Sequence, residues 1–390
     1  MIDDPRLTRR TQLNQKAPSS SKVNMSAARL PPSTSPLVVA VVSSSFFVIA
    51  VLLYIRPYLE ATVSPYRIFR DVYQHAGHFA LADTYAGRDF FDSWTWETMD
   101  DPTNGRVNYV DQNTAVSSNL SFATDSKFIM RADDQNVVAP SARGRDSIRI
   151  ISNNAYSDSV TVLDLQHMPE GCSTWPAFWS LSQAGPWPQG GEIDIVEGVN
   201  LNNGNLASLH TTPLCTMQQQ RAQTGTTSST NCDANANFNQ GCGVSFPYGS
   251  YGAPFNAAGG GYFVVVRTQQ DGVRIWFWAR NDAATPAEVI NPAPAALGLL
   301  GPPTISPDPS WGTPSAIFPV GSTCDYDSHF NAHQFVFDLT FCGDWAGNDY
   351  TSTGCSGSCT DYVNNNPQAF ANAYWEVNSL RVYTPFDRPS

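Results

Sequence analysis

Short runs in which apolar and polar residues alternate, broken by Gly, Pro and Asn, fill the chain from about Ile68 to Tyr383. Period-two alternation is the pattern of a strand with one face on a core. Tyr262–Arg267 and Val273–Trp278, joined across Gln269–Gly272, read as a hairpin. Phe335–Thr340 and Trp375–Tyr383 alternate in the same way. No long 3.6-residue periodicity competes with them, so the expected fold is an all-β sandwich. Two irregular stretches interrupt it. Met217–Asn231 is rich in Gln, Thr and Ser, and Thr285–Pro314 carries eight prolines. Both are expected to be surface loops, and the second is long enough to border a binding cleft.

The N-terminal part follows a different pattern. Residues 1–36 are polar, with six basic side chains against two acidic ones, and bury too little to fold alone; a disordered tail is expected. Leu37–Ile55 is a run of 19 uncharged, mostly apolar residues. At about 1.5 Å per residue a helix of that length nearly spans a ~30 Å hydrocarbon layer. A cleaved signal peptide is the competing reading. Its apolar stretch would be shorter and would end at small residues, whereas Tyr54-Ile55-Arg56-Pro57 follows here. The expectation is therefore an uncleaved signal anchor of a single-pass type II membrane protein. Its basic side would be cytoplasmic, residues 56–67 a stalk, and 68–390 one lumenal or extracellular domain.

Cysteine usage agrees with that topology. All eight cysteines lie at or beyond Cys172. An even number in one region fits up to four disulfides in an oxidising compartment. No Cys-x-x-Cys or ordered His spacing supports the rival zinc reading. The net charge of −12 argues against a nucleic-acid partner. Asn119-Leu-Ser121 is a glycosylation sequon on the expected lumenal side; Asn24-Met-Ser26 would face the cytoplasm.

Candidate chemistry is concentrated in Gly191-Glu-Ile-Asp-Ile-Val-Glu-Gly198. In a regular strand Glu192 and Asp194 share a face and Glu197 points away. One extra residue near Ile195-Val196, a β-bulge, would put all three acids on one face and the apolar residues on the other. Carboxylates crowded in this way cannot all ionise freely, so at least one should hold its proton to high pH. A proton-bearing acid beside a charged carboxylate is the pair that cleaves glycosidic bonds. A solvated edge strand is the bland alternative. The aromatic run upstream, Trp175-Pro-Ala-Phe-Trp179 and Pro186-Trp-Pro188, weighs against it.

With those segments, Leu209-His-Thr211, Phe341-Cys-Gly-Asp-Trp-Ala-Gly347 and Asn372–Tyr383, the chain resembles glycoside hydrolase family 16, in its fungal endo-β-1,3(4)-glucanase or laminarinase branch. The resemblance runs through nearly all of 68–390. It implies a β-jelly roll of two curved antiparallel sheets with an open concave cleft, acting without a required cofactor on β-glucan as a monomer. A structural calcium, carried by some members, is left undecided. By the same resemblance Glu192 matches the nucleophile, Glu197 the acid/base, and Asp194 the carboxylate that steers the nucleophile. His210 matches the family's histidine on the next strand. Trp179 and Trp187 match aromatic positions of the minus subsites, and Trp345 one that could close the cleft. Asn108 and Arg145 resemble polar sugar contacts, although a structural role suits them equally; Trp175 reads as core. A wall-remodelling transglycosylase and an inactive glucan-binding module remain as alternatives.

Overall fold

The computed structural model describes residues 79–291 and 302–386. The expected tail, anchor and stalk, and Asn24, lie outside them. Among the described residues no helix is long and apolar enough to cross a membrane. Asn119 is exposed.

Two antiparallel sheets face each other across one core, as the alternation predicts. The first has eight strands in the order Thr226–Thr227, Cys242–Ser245, Leu206–His210, Glu192–Glu197, Thr174–Ser182, His333–Phe341, Arg149–Ser152 and Trp94–Trp96. The second has nine, with Tyr374–Pro385, Ser159–His167, Gly261–Thr268 and Gly272–Ala279 at its centre. The expected hairpin is present, pairing Thr268 with Gly272 and Gly261 with Ala279. Aromatic and β-branched residues dominate these strands because they fill a pleated, half-buried surface best. Phe178 and Phe337 from the first sheet stack at 4.4 Å, and Leu163, Leu165 and Phe263 meet them from the second. Truncating such a buried ring costs about 3–5 kcal/mol.

The proline-rich stretch behaves differently from the expectation. Its described residues do not border a cleft. Val289 and Trp311 pack on Val160, Val162, Val264, Trp276 and Trp278, on the face of the nine-stranded sheet turned away from the core. That face of the sheet is as apolar as its core face, and the stretch covers it. A hydrogen bond from Trp276 Nε1 to the Gly312 carbonyl fastens it there, and one from Trp311 Nε1 to Glu288 ties two parts of the stretch to each other.

All eight cysteines are paired: Cys172–Cys355, Cys215–Cys324, Cys232–Cys242 and Cys342–Cys359. Cys342–Cys359 closes the segment that holds the turn Gly343–Gly347, and Cys172–Cys355 ties that segment to the start of the Thr174–Ser182 strand.

Candidate active site

The carboxylate strand is bulged where the acid spacing requires it. Against the Thr174–Ser182 strand, Asp194 pairs with Trp179 but Val196 pairs with Phe178 and Glu197 with Ala177, so Ile195 is the extra residue. On the other side Asp194 pairs with Ser208 and Glu197 with Leu206, and the register shifts in the same place. Ile193, Ile195 and Val196 are all buried in the core. The three acids are left on the opposite face.

A bulge strips backbone groups of their ladder partners, and a buried unpaired amide is costly. One side chain answers for both groups here. Asn205, fully buried, accepts from the Glu197 N–H at 2.9 Å and donates to the Ile195 carbonyl at 2.8 Å. Its own N–H is held by Ser250 Oγ at 2.9 Å. Replacing Asn205 with Ala leaves both bulge groups unsatisfied. The expected result is a roughly 10- to 100-fold fall in kcat with a small change in KM, because a small misplacement of Glu197 acts on the reaction step. Steady-state kinetics on a folded variant checks this; a change confined to KM would count against it.

Each acid has its own partner. Trp187 Nε1 donates to Glu192 at 2.6 Å, and Trp175 Nε1 donates to Glu197 at 2.8 Å. His210 Nε2 stands 3.2 Å from Asp194 Oδ2, and its Nδ1 is 2.8 Å from Asn239 Oδ1. Both ring nitrogens thus face oxygens, an arrangement that favours the positively charged ring. Burial opposes that charge, yet Asp194, followed by Glu192 and Glu197, outweighs it and pushes His210 up to about 10. Glu192 and Glu197 are both raised, by burial first and by the Asp194 charge second. His210, Trp187 and Arg149 oppose the rise at Glu192, while Trp175 and His210 oppose it at Glu197 and the Glu192 charge adds to it. Both glutamates therefore hold their protons more tightly than a free carboxyl does. Glu192, Asp194 and His210 are close enough to surround a metal ion.

Further along this face, Asp338 accepts from Trp179 Nε1 at 2.9 Å and lies 3.4 Å from Arg149 Nη1. The Arg149 guanidinium is 5.0 Å from the centre of the Trp179 ring and also bonds Glu97 at 2.6 Å. Burial raises Asp338 to about 7, against the pull of Arg149 and Trp179. Together these contacts fix the plane of Trp179. Trp187 is 46% exposed, so its ring is free to meet a ligand while its N–H stays on Glu192.

Two expectations need correction. Trp175 is no core residue: it is half-buried, bonds Glu197, and meets Trp345 edge-to-face at 5.6 Å. Arg145 is wholly buried, its guanidinium donating to the carbonyls of Val363, Asp133 and Asn136 above the Phe370 ring, so it holds the fold and cannot reach a ligand. Asn108 sits in a separate two-stranded parallel piece, its amide taken up by Asp146 and Arg143. Trp345 bonds Asp349 and reaches the site through Trp175. Asn205, Asn239, Arg149 and Asp338 gave no local sequence signal, since only strand pairing and loop closure bring them here.

Two glutamic acids of raised proton affinity beside a third carboxylate, with flanking indoles on a sandwich face, define a glycosidase site. The chain belongs to glycoside hydrolase family 16: residues 94–383 match the family described as XgeA-like, catalytic GH16 domain. It is 43% identical over 310 residues to a probable glycosidase of Schizosaccharomyces pombe, covering 78% of this chain and 69% of that protein. It is 37% identical over 327 residues to the endo-1,3(4)-β-glucanase xgeA of Emericella nidulans, covering 81% of this chain but 49% of that longer protein. Among solved structures it is similar to laminarinase 16A of Phanerochaete chrysosporium, bound to β-glucans in donor and acceptor sites (47% identity, TM-score 0.73, covering 79% of this chain and 100% of that one). An elongating family 16 β-1,3-glucosyltransferase is also similar (36% identity, TM-score 0.70, covering 78% and 100%).

Proposed function

We propose that the protein is an endo-acting, retaining glycosidase that cleaves β-1,3 or mixed β-1,3/1,4 glucan. The observation that carries this reading is the bulge, which places Glu192, Asp194 and Glu197 on one face with separate partners. Glu197 donates its proton to the glycosidic oxygen while Glu192 attacks the anomeric carbon, giving a glycosyl-enzyme and releasing the leaving sugar. Glu197, now charged, takes a proton from water, which displaces Glu192 and restores both groups. Asp194 holds the His210 imidazolium beside the pair. Trp179 and Trp187 stack the sugars of the glycone half.

The test is the product profile of the full chain on laminarin, lichenan and β-1,6-glucan. Internal cleavage of the first or second, releasing products that begin as the β-anomer, is expected. Products that begin as the α-anomer would overturn the retaining mechanism.

Transfer to a sugar instead of water is the second reading, favoured by the similarity to the elongating glucosyltransferase. It uses the same intermediate, and products longer than the starting oligosaccharide at high concentration would reveal it. We also propose that Leu37–Ile55 anchors the catalytic domain on the lumenal or outer side of a membrane. The four disulfides support that placement, because they need an oxidising compartment. Release of the domain from washed membranes by alkaline carbonate alone would count against an anchor.

A further inference from the structure

The strand Leu206–His210 lies on the side of the carboxylate strand opposite Trp179. Beyond it comes the loop between Cys232 and Cys242, closed by their disulfide. Within this loop Asn237, Phe238 and Asn239 take φ values of 50°, 58° and 59°. Asn tolerates the left-handed region, but a bulky ring such as Phe seldom enters it. Such strain persists only where the surroundings impose it, and it gathers at functional sites. The bridge that joins the loop's two ends and the hydrogen bonds Asn239 N–H to Ala236 O and Gln240 N–H to Asn237 O impose it here.

The turn has two consequences. It brings Asn239 Oδ1 to 2.8 Å from His210 Nδ1, and it leaves the Phe238 side chain with the full exposure of an isolated residue, 106%. Gly241 closes the turn at φ 63°, where a Cβ would come within 2.8 Å of the His210 ring. The loop is therefore seated directly on the residue that pairs with Asp194. A water-exposed aromatic ring in a strained backbone stabilises nothing in the protein, yet it stands one residue from the histidine's partner.

We propose that Phe238 is a stacking platform for the sugar on the leaving-group side of the site, the half that departs in cleavage and that accepts in transfer. The proposal rests on the reading that Trp179 and Trp187 hold the glycone half. The axial C–H bonds of a glucosyl ring would pack on the exposed Phe238 face, as sugars do on aromatic surfaces. In transfer, the hydroxyl of that stacked sugar attacks the anomeric carbon, Glu192 leaves it, and the hydroxyl proton passes to Glu197. A better-held acceptor competes better with water.

The test compares the full chain with its Phe238→Ala and Phe238→Trp variants on two substrates. Laminari-oligosaccharides place a sugar on the leaving side, and β-laminaribiosyl fluoride places only fluoride there. For Phe238→Ala the loss of kcat/KM on oligosaccharides should exceed the loss on the fluoride by about 3- to 10-fold. The ratio of transfer to hydrolysis products should fall with it, and Phe238→Trp should restore both. Equal losses on the two substrates would overturn the proposal, since they indicate damage passed through Asn239 to His210. An unchanged product ratio would do the same. A parent protein inert on both substrates removes the reading beneath the proposal, and the proposal with it.

Discussion

Replacing Glu192 with Gln is expected to lower kcat on laminarin by roughly 10⁴-fold or more, because no covalent intermediate forms without a nucleophile. Glu197→Gln should be milder on activated substrates and severe on glucan, roughly 10²- to 10⁴-fold, because only a poor leaving oxygen needs the proton. Azide should restore turnover of an aryl glucoside by Glu197→Gln, forming the β-glycosyl azide. Neither variant should unfold the protein. Glu192 is raised by burial and by the Asp194 charge, so its ionised form opposes folding. Glu192→Gln should therefore be more stable than the parent, by roughly 1–3 kcal/mol at neutral to mildly alkaline pH. The sign follows from linkage: the gain is absent below the ordinary carboxylate pKa and grows as pH rises towards the folded value. Thermal melts at pH 4 and pH 8 test it. Full activity in either Gln variant would end the assignment of roles.

The second large effect is on pH dependence. Asp194→Asn removes the charge that, after burial, most raises both Glu192 and Glu197. Both limbs of the kcat/KM profile should move to lower pH, alongside a roughly 10²- to 10³-fold loss at the optimum. His210→Asn removes a positive charge that holds both glutamates down, so its profile should move to higher pH. A purely structural role for either residue predicts no such opposition. Profiles that shift in the same direction would show that the Asp194–His210 pair does not set the proton affinity of the acids.

Much of the site was legible because it is local. The acids at 192, 194 and 197 share a strand face only through a bulge, and the register shows one at Ile195. Strand alternation foretold the two sheets for the same reason, since facing and spacing are set within a few residues. The misreadings involve contacts made over long sequence distances. Arg145 looks like a ligand contact in its own segment, but Val363, 218 residues away, takes its guanidinium. Trp175 has the sequence neighbours of a core strand, and only the bulge turns Glu197 towards its N–H. Thr285–Pro314 reads as a loop seeking a cleft, whereas the outer face of the nine-stranded sheet needed covering.

The sequence by itself determined the acid spacing, the strand pattern and the pairing-ready cysteines, since each depends on covalent order and short-range geometry. Tertiary structure alone decided the surroundings of each carboxylate. Those surroundings are set by burial and by which partner stands beside each acid. Those partners, Trp175, Trp187, His210 and Asn239, arrive from separate strands and loops.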